Sequence, residues 1–375
     1  MNGKKICILT SAHRAFDTRI FHRQAKTLVR AGYEVVLIAQ HSRNEVVEGV
    51  RIIALPTPKN RLVRIWGTWR VLRLAYKQKA DIYHFHDPEL LPVGMLLKLL
   101  TKAQVVYDVH EDYPKHTLSK YWLPPITRRP ASFVFDIVEK SASLCLDYVV
   151  VATGGIARRF KGDKTATIQN FPTVELIEPK LEWNFRNPTV IYAGFLEEQS
   201  GITEIVHAME YIDPLKNVTL VLCGRFSPES YELRVRSLEG FRRTEYLGWV
   251  EPEQLWRSMC RSNAGIVCYH PAPNQVESQP RKLFEYMAVG LPVIASNFPL
   301  YKEFVEENHC GITVDPLNPR EIAAAIEYLV DHPDEARRMG ENGRRAALEK
   351  YNWETESKKL LAVYESLLQA KSRRK

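Results

Sequence analysis

The sequence predicts an α/β protein of two parallel-sheet domains joined by a short connection. Three observations carry this. The 375 residues suit two domains of ordinary size, each able to bury its own core. Apolar, strand-like runs alternate with helical periods twice over, once on each side of a break, which is the pattern of βαβ units. The break itself, from about Asn170 to Pro188, has little periodicity and holds three prolines, as a linker does. The expected division is therefore 1–169, a linker over 170–187, 188–351, and a last helix with a basic tail over 352–375.

Taken in order, Lys5–Thr10 is the first strand, and the loop SAHRAFD leads to a helix over Thr18–Ala31 closed by Gly32. Strands follow at Tyr33–Ala39 and Val50–Leu55, then a helix over 61–79. DIYHFHDPELLPVG reads as strand, loop and helix, QVVYDVHEDYP as a strand entering a loop, and DYVVVATGGIARRF as a strand with a short helix. Loops after the C-terminal ends of parallel strands form the binding crevice of such sheets. His13, Asp17, His86, Asp87, His110 and Glu111 all follow strands, so they are expected to gather at one edge. The second series runs through PTVIYAGF, NVTLVLCGRF, TEYLGWV, NAGIVCYH and LPVIAS, and the chain is helical from Asn318 onward. No repeat of fixed period is present.

Composition narrows the class. Hydrophobic residues at 45% and charged residues at 26% are the balance of a soluble globular protein. No apolar run approaches the roughly 20 residues of a membrane helix, and the opening MNGKKICILT reads as a strand, not as a secretory signal. The six cysteines are scattered without Cys-x-x-Cys spacing, as reduced thiols of a cytoplasmic protein would be. The net charge of +8 is uneven: residues 1–130 hold 22 Lys and Arg against 10 Asp and Glu, the remainder 30 against 34. A basic N-terminal half points to an anionic partner or to a solvated basic face.

The helix over 61–79 concentrates that charge. Lys59, Arg61, Arg64, Arg70, Arg73, Lys77 and Lys79 lie on or beside it with no acid among them. At about 100° per residue, Leu62, Ile65, Trp69, Leu72 and Tyr76 share one arc, the expected packing face, whereas Trp66 falls among Arg70, Arg73 and Lys77. A basic arc with a tryptophan suits an anionic membrane interface. It would also suit nucleic acid, but no nucleic-acid module accompanies it, and none is expected as a partner.

The most informative stretch is ESQPRKLFEYMAVGLPVIASNFP, Glu277 to Pro299. Pro280–Val289 reads as a helix that Gly290 and Pro292 stop, followed by a buried parallel strand, Leu291–Ala295. Glu277 sits before the helix and Glu285 within it. The helix N-terminus, with Arg281 and Lys282, favours phosphate, and Glu285 can accept hydrogen bonds from ribose hydroxyls.

Two glutamates at this spacing followed by KLFEYMAVGLPVIAS resemble the donor motif of the retaining glycosyltransferases of family 4, which have the GT-B fold. SAHRAFDTRIFHRQAKTLVRAGYEV, HFHDPELLP and YDVHEDYP are similar to members that build surface polysaccharides. The resemblance implies two Rossmann-like domains facing across a cleft, with the helix from Trp353 crossing back to the N-terminal domain. It implies that Glu277 faces the donor sugar, that Glu285 holds the ribose, and that His110 touches the donor sugar at the reacting centre. His86 and Asp87 then belong to the acceptor side. Asp17 and Arg19 flank the first long helix where relatives carry a glycine-rich loop that this chain lacks. An acceptor or phosphate contact by Arg19, a helix cap by Asp17, or a salt bridge all fit there.

The chain departs from the family after the first strand of its second half. Phe195 and Ser200 stand where many relatives place the arginine and lysine that neutralise the donor diphosphate. A diphosphate leaving group needs positive charge or fixed N–H dipoles, for which Arg281, Lys282, Arg225 and the backbone around Gly194 are the candidates. His84 and His86 point the same way along a strand and, with Asp87, suggest a metal site without an evident third ligand; no metal and no cofactor are expected. The expected activity is a retaining transfer from a nucleoside-diphosphate sugar, a UDP-sugar foremost, to a saccharide or lipid-linked acceptor, at the inner face of the membrane. A sugar-nucleotide-binding pseudoenzyme, an epimerase of the same fold and a nucleic-acid-binding protein are the alternatives.

Overall fold

The computed structural model describes residues 3–118, 123–174, 182–183 and 186–373. The chain divides into two compact units, Met1–Asn170 with Trp353–Lys375, and Phe171–Asn352. The stretch read as a linker lies partly outside the described residues, at 175–181 and 184–185. Its apolar members Phe171 and Val174 are buried in the core of the second unit.

Unit 1 is built on strands β1 (Lys5–Arg14), β2 (Glu34–Gln40), β3 (Glu45–Val47), β4 (Val50–Leu55), β5 (Ile82–Phe85), β6 (Gln104–Val109), β7 (Tyr148–Val151) and β8 (Thr165–Thr167). They pair in the order β3-β4-β2-β1-β5-β6-β7-β8. All pairs are parallel except β3 with β4. The edge hairpin is an addition to the expected all-parallel pattern. Its turn, Glu48-Gly49, has positive φ at both residues, the requirement of a two-residue hairpin.

The helices are α1 (Thr18–Ala25, continued by Lys26–Arg30), α2 (Arg61–Gln78), α3 (Leu91–Leu100), α4 (Tyr113–Leu118), α5 (Pro125–Leu144) and α6 (Gly154–Ala157). One face of the sheet packs against α2, α3 and α5 through Val71, Ala75, Val93, Leu97 and Ala142. The other packs against α1 and the last helix of the chain, Trp353–Arg373. That helix buries Leu360, Val363, Tyr364 and Leu367, and its Trp353 Nε1 donates to Thr27 Oγ1 at 2.9 Å. Helix α2 corrects the expected packing face. Its seam on the sheet is Val71 and Ala75, whereas Leu62, Ile65, Trp69 and Tyr76 are each more than half exposed. Small side chains four apart let the helix lie close to the sheet, and the bulky arc is turned outward.

Unit 2 has strands β9 (Thr189–Ala193), β10 (Thr219–Cys223), β11 (Thr244–Gly248), β12 (Ala264–Val267), β13 (Val293–Ser296) and β14 (Gly311–Val314), in the order β11-β10-β9-β12-β13-β14, all parallel. Its helices are α7 (Ile202–Tyr211), α8 (Glu229–Arg236), α9 (Pro252–Cys260), α10 (Arg281–Val289), α11 (Pro299–Val305), α12 (Pro319–Asp331) and α13 (Pro333–Glu349); the helix Trp353–Arg373 that returns to unit 1 is α14. Helices α7 and α12 cover one sheet face, and α10 and α11 the other. Helix α10 starts where the proline predicts, with Pro280 as its extended N-cap and Gly290 closing it at φ 92°. Each unit is thus a parallel-sheet α/β layer structure with its own core.

Candidate active site

In unit 1 the C-terminal ends of β1, β5 and β6, and the loops after them, bring the predicted histidines and aspartates together around a residue that sequence patterning did not single out, Asp108. Its carboxylate takes Arg19 Nη2 at 2.9 Å and Gln24 Nε2 at 2.6 Å. His84 Nε2, His86 Nδ1 and His110 Nε2 lie 3.4–3.6 Å from it. Asp108 is fully buried. Burial works against its charge, but Arg19 and the imidazoles outweigh that and hold it well below the usual carboxylate range. The cue was available: an aspartate inside the continuous apolar strand QVVYDV must be paired to be tolerated.

His86 Nδ1 and His110 Nε2 share a hydrogen bond of 2.8 Å. Burial pushes His110 down to about 4, with Asp108 offsetting it only in part, and holds His86 well below its ordinary value. Both imidazoles are therefore neutral at pH 7, one nitrogen of the pair donating to the other. His13 differs: burial opposes its charge, but Asp17 and Asp87, each with an oxygen 3.5 Å away, outweigh it and raise its pKa.

Asp87 accepts from Thr10 Oγ1, the Ser11 N–H and the Ala12 N–H at 2.6–3.2 Å, and so ties the C-terminal part of β1 to the loop after β5. Asp17 caps α1 by accepting from the Arg19 and Ile20 N–H groups at 2.9 Å. Of the alternatives open at Arg19 and Asp17, the structure shows the salt bridge, from Arg19 to Asp108, and the helix cap by Asp17. Arg19, His86 and Asp87, the residues assigned to an acceptor, are at most 4% exposed and bonded inward. They shape the loop edge; His110, His13 and Asp17 keep some access.

The third group near His84 and His86 is Asp108, not Asp87; these three offer ligand atoms within 4.8 Å of one another. Arg19 already lies against both Asp108 oxygens. Its guanidinium supplies the positive charge that a cation would bring, so the donor set fits an arginine-neutralised network rather than a metal.

In unit 2 the corresponding strand ends present the loop after β9, the loop after β10, Gly248–Val250 and the start of α10. Lys282, in the first turn of α10, turns inward. It is 9% exposed, its Nζ donates to Tyr192 Oη at 2.5 Å, and it lies 3.8 Å from the Tyr192 ring centre and 5.0 Å from that of Tyr269. A Cβ on Gly194, whose φ is 138°, would stand 2.8 Å from that Nζ. The glycine therefore makes room for the lysine. Burial pushes Lys282 down to about 7, with Glu285 and Glu197 offsetting it in part. The Tyr192 hydroxyl also donates to the Phe195 carbonyl at 3.0 Å, and Ser200 on the same loop is buried. Lys282 thus reaches the neighbourhood of the very position where relatives carry a lysine.

Arg281 Nε pairs with Glu285 Oε1 at 2.7 Å, and Glu285 is 15% exposed. Glu277 is exposed in the loop preceding α10. The N-cap residue of α10, Pro280, makes no side-chain capping bond, and a helix N-terminus favours an anion. Phe195 and Trp249, both 58% exposed, lie 6.4 Å apart, and Arg225 sits over the Trp249 ring at 5.4 Å. The departure at Phe195 therefore places an aromatic surface beside Arg225.

The chain's likenesses agree with this geometry. Residues 18–171 match the family model described as Glycosyltransferase Family 4, and residues 173–346 that described as Glycosyl transferases group 1. The MMP alpha-(1->4)-mannosyltransferase of Mycolicibacterium hassiacum is 24% identical over 311 residues, 80% of this chain and 74% of its own. The glycogen synthase of Mycobacterium tuberculosis is 23% identical, covering 92% and 90%. Among solved structures, the sucrose-phosphate synthase of Thermosynechococcus elongatus superposes with a TM-score of 0.80 at 23% identity over 98% of this chain and 100% of its own. Anabaena HepE, solved with UDP-glucose, gives 0.71 at 15% identity over 97% and 99%. Two family models that run nearly end to end, on two parallel-sheet units, place the chain: it belongs to the family 4 glycosyltransferases, of the GT-B fold.

Proposed function

We propose that the protein is a retaining transferase that moves a sugar from a nucleoside-diphosphate donor, a UDP-sugar foremost, to a hydroxyl of a saccharide or lipid-linked acceptor in surface polysaccharide or glycolipid synthesis. The observation that carries the reading is α10 itself. A buried lysine with no carboxylate in salt-bridge range among the described residues stands in the first turn of a helix whose N-cap is a proline, one turn from Glu285. Such a cation is completed by an anion. The UDP-glucose held by HepE supports a donor of that class.

In this reading Lys282, Arg281, Arg225 and the backbone at Gly194 meet the diphosphate, Glu285 holds the ribose and Glu277 orients the sugar. His110, neutral, hydrogen-bonds the sugar at the reacting centre. The acceptor hydroxyl attacks the anomeric carbon on the face from which the diphosphate departs; the bond to the β-phosphate oxygen breaks, and that oxygen takes the acceptor's proton. No step uses a metal or a further cofactor. Asp17 lies on the acceptor side, and α2 contacts an anionic membrane surface, so that the protein works peripherally; among the described residues no helix is long and apolar enough to cross a membrane.

Incubation with a panel of nucleotide sugars, with and without acceptor, tests this. Donor consumption that requires acceptor supports the transferase. Phe195 in place of the arginine motivates a second reading, a sugar-nucleotide-binding pseudoenzyme: UDP binding with no turnover of any donor would favour it. Turnover without acceptor would favour an epimerase.

A further inference from the structure

The outer surface of α2, α3 and α5 is not finished as a water-facing layer. Among the described residues of unit 1, every exposed large hydrophobic side chain except Phe16 and Val46 lies on these three helices. Trp66 is 75% exposed, Leu99 80%, Ile126 84% and Phe133 66%. Ile137 continues the α5 row one turn beyond Phe133. The opposite layer of the same sheet, α1 and α14, presents no such residue. The three helices pack on one sheet face through a single core, so their outer sides form one continuous surface. Scattered exposed apolar residues are ordinary, but a patch of this extent marks an interaction site.

Charge identifies the occupant. Arg70, Arg73 and Lys77 are exposed among the apolar residues of α2, and Arg129 is exposed on α5. The only acids in the three helices are Asp136 and Glu139, and Arg159 holds both, at 2.9 and 2.5 Å. The surface is therefore apolar and positive with its negative charge neutralised from within. A second copy of the same face would set like charge against like charge. A nucleic acid would leave the aliphatic residues of α3 and α5 without a partner. Tryptophan and phenylalanine with arginine and lysine at their edges match the boundary between acyl chains and anionic headgroups.

We propose that α2, α3 and α5 together form a docking face for an anionic lipid bilayer. Trp66, Leu99 and Phe133 enter the acyl boundary, and Arg70, Arg73 and Lys77 lie against the headgroup phosphates. The proposal rests on the membrane contact proposed above for α2 and extends it to two helices of ordinary charge.

Vesicle flotation of the full chain tests it, using phosphatidylcholine alone or mixed with phosphatidylglycerol. Wild type is expected to float with the mixed vesicles and to lose binding as salt is raised. Leu99→Glu and Phe133→Glu, each outside α2, should lower partitioning about fivefold or more, and Arg70→Glu with Arg73→Glu about tenfold. Three outcomes overturn the proposal: wild type that does not float with mixed vesicles, Leu99→Glu and Phe133→Glu variants that bind as wild type does, or a wild-type dimer in sedimentation that Phe133→Glu splits. UDP titration without vesicles keeps the two readings apart. Phe133→Glu should bind UDP normally, which also shows that it is folded, and Glu285→Ala should float normally. Flotation with no UDP binding by wild type would sink the donor reading and leave the docking face standing.

Discussion

The buried ionic groups of the two units are finished in opposite ways. In unit 1, Asp108 is enclosed by Arg19, Gln24 and three imidazoles, all supplied by the protein. In unit 2, Lys282 is enclosed by two tyrosine rings and a hydroxyl, and burial pushes it down to about 7. The first arrangement satisfies its charge and fixes the position of His110. The second leaves a desolvated cation at a helix start, where an added anion gains more than it would in water. In the proposed function, one cluster holds its shape and the other takes up a ligand. The same kind of removal should therefore affect stability in one unit and binding in the other.

The largest effect is expected at Asp108. Asp108→Asn keeps the shape but strands the buried Arg19 charge, and should destabilise the protein by about 3–5 kcal/mol in denaturant unfolding. A loss below about 1 kcal/mol would show that the network is not enclosed as described. Next is Lys282→Met. It should leave stability unchanged or slightly raised, because a penalised charge is removed, yet weaken UDP binding by about 1.5–3 kcal/mol, roughly 10- to 150-fold. Equal stability losses at Asp108 and Lys282 would erase the distinction between the clusters.

The pH dependence of binding is a smaller effect. Lys282 is protonated below about 7 in the free protein, and a bound diphosphate raises that value. UDP affinity should fall as pH rises through about 7, and the dependence should be absent in Lys282→Met. A last effect, confined to acid pH, concerns His110, whose pKa falls from 6.5 to about 4 on folding. Between those values the unfolded chain binds one more proton, so stability rises with pH across the window and is lost on acidification. His110→Asn should flatten that slope in unfolding curves recorded between about pH 4 and pH 6.5.

Much of this was legible in the sequence, for identifiable reasons. The α10 motif carries its own start and stop in Pro280 and Gly290, so the helix and the order of Glu277 and Glu285 followed from local rules. The strand-end rule gathered His13, His86, Asp87 and His110, because period-two alternation and parallel order decide which residues follow strands. What was not legible depends on packing. The register of α2 turns on Val71 and Ala75 fitting the sheet, and its bulky arc has a stronger hydrophobic signal that points the wrong way. The burial of Arg19 follows from a partner 89 residues away. The inward turn of Lys282 depends on room left by Gly194 and on Tyr192 and Tyr269, from two other strand ends.

The most direct test is a calorimetric titration of UDP into wild type, Glu285→Ala and Lys282→Met, a unit below and a unit above the Lys282 pKa of about 7. Wild type should bind at both pH values and more tightly at the lower, with Glu285→Ala weakened at both and Lys282→Met weakened and indifferent to pH. Wild-type binding that neither substitution alters would place the nucleotide away from α10 and contradict the account.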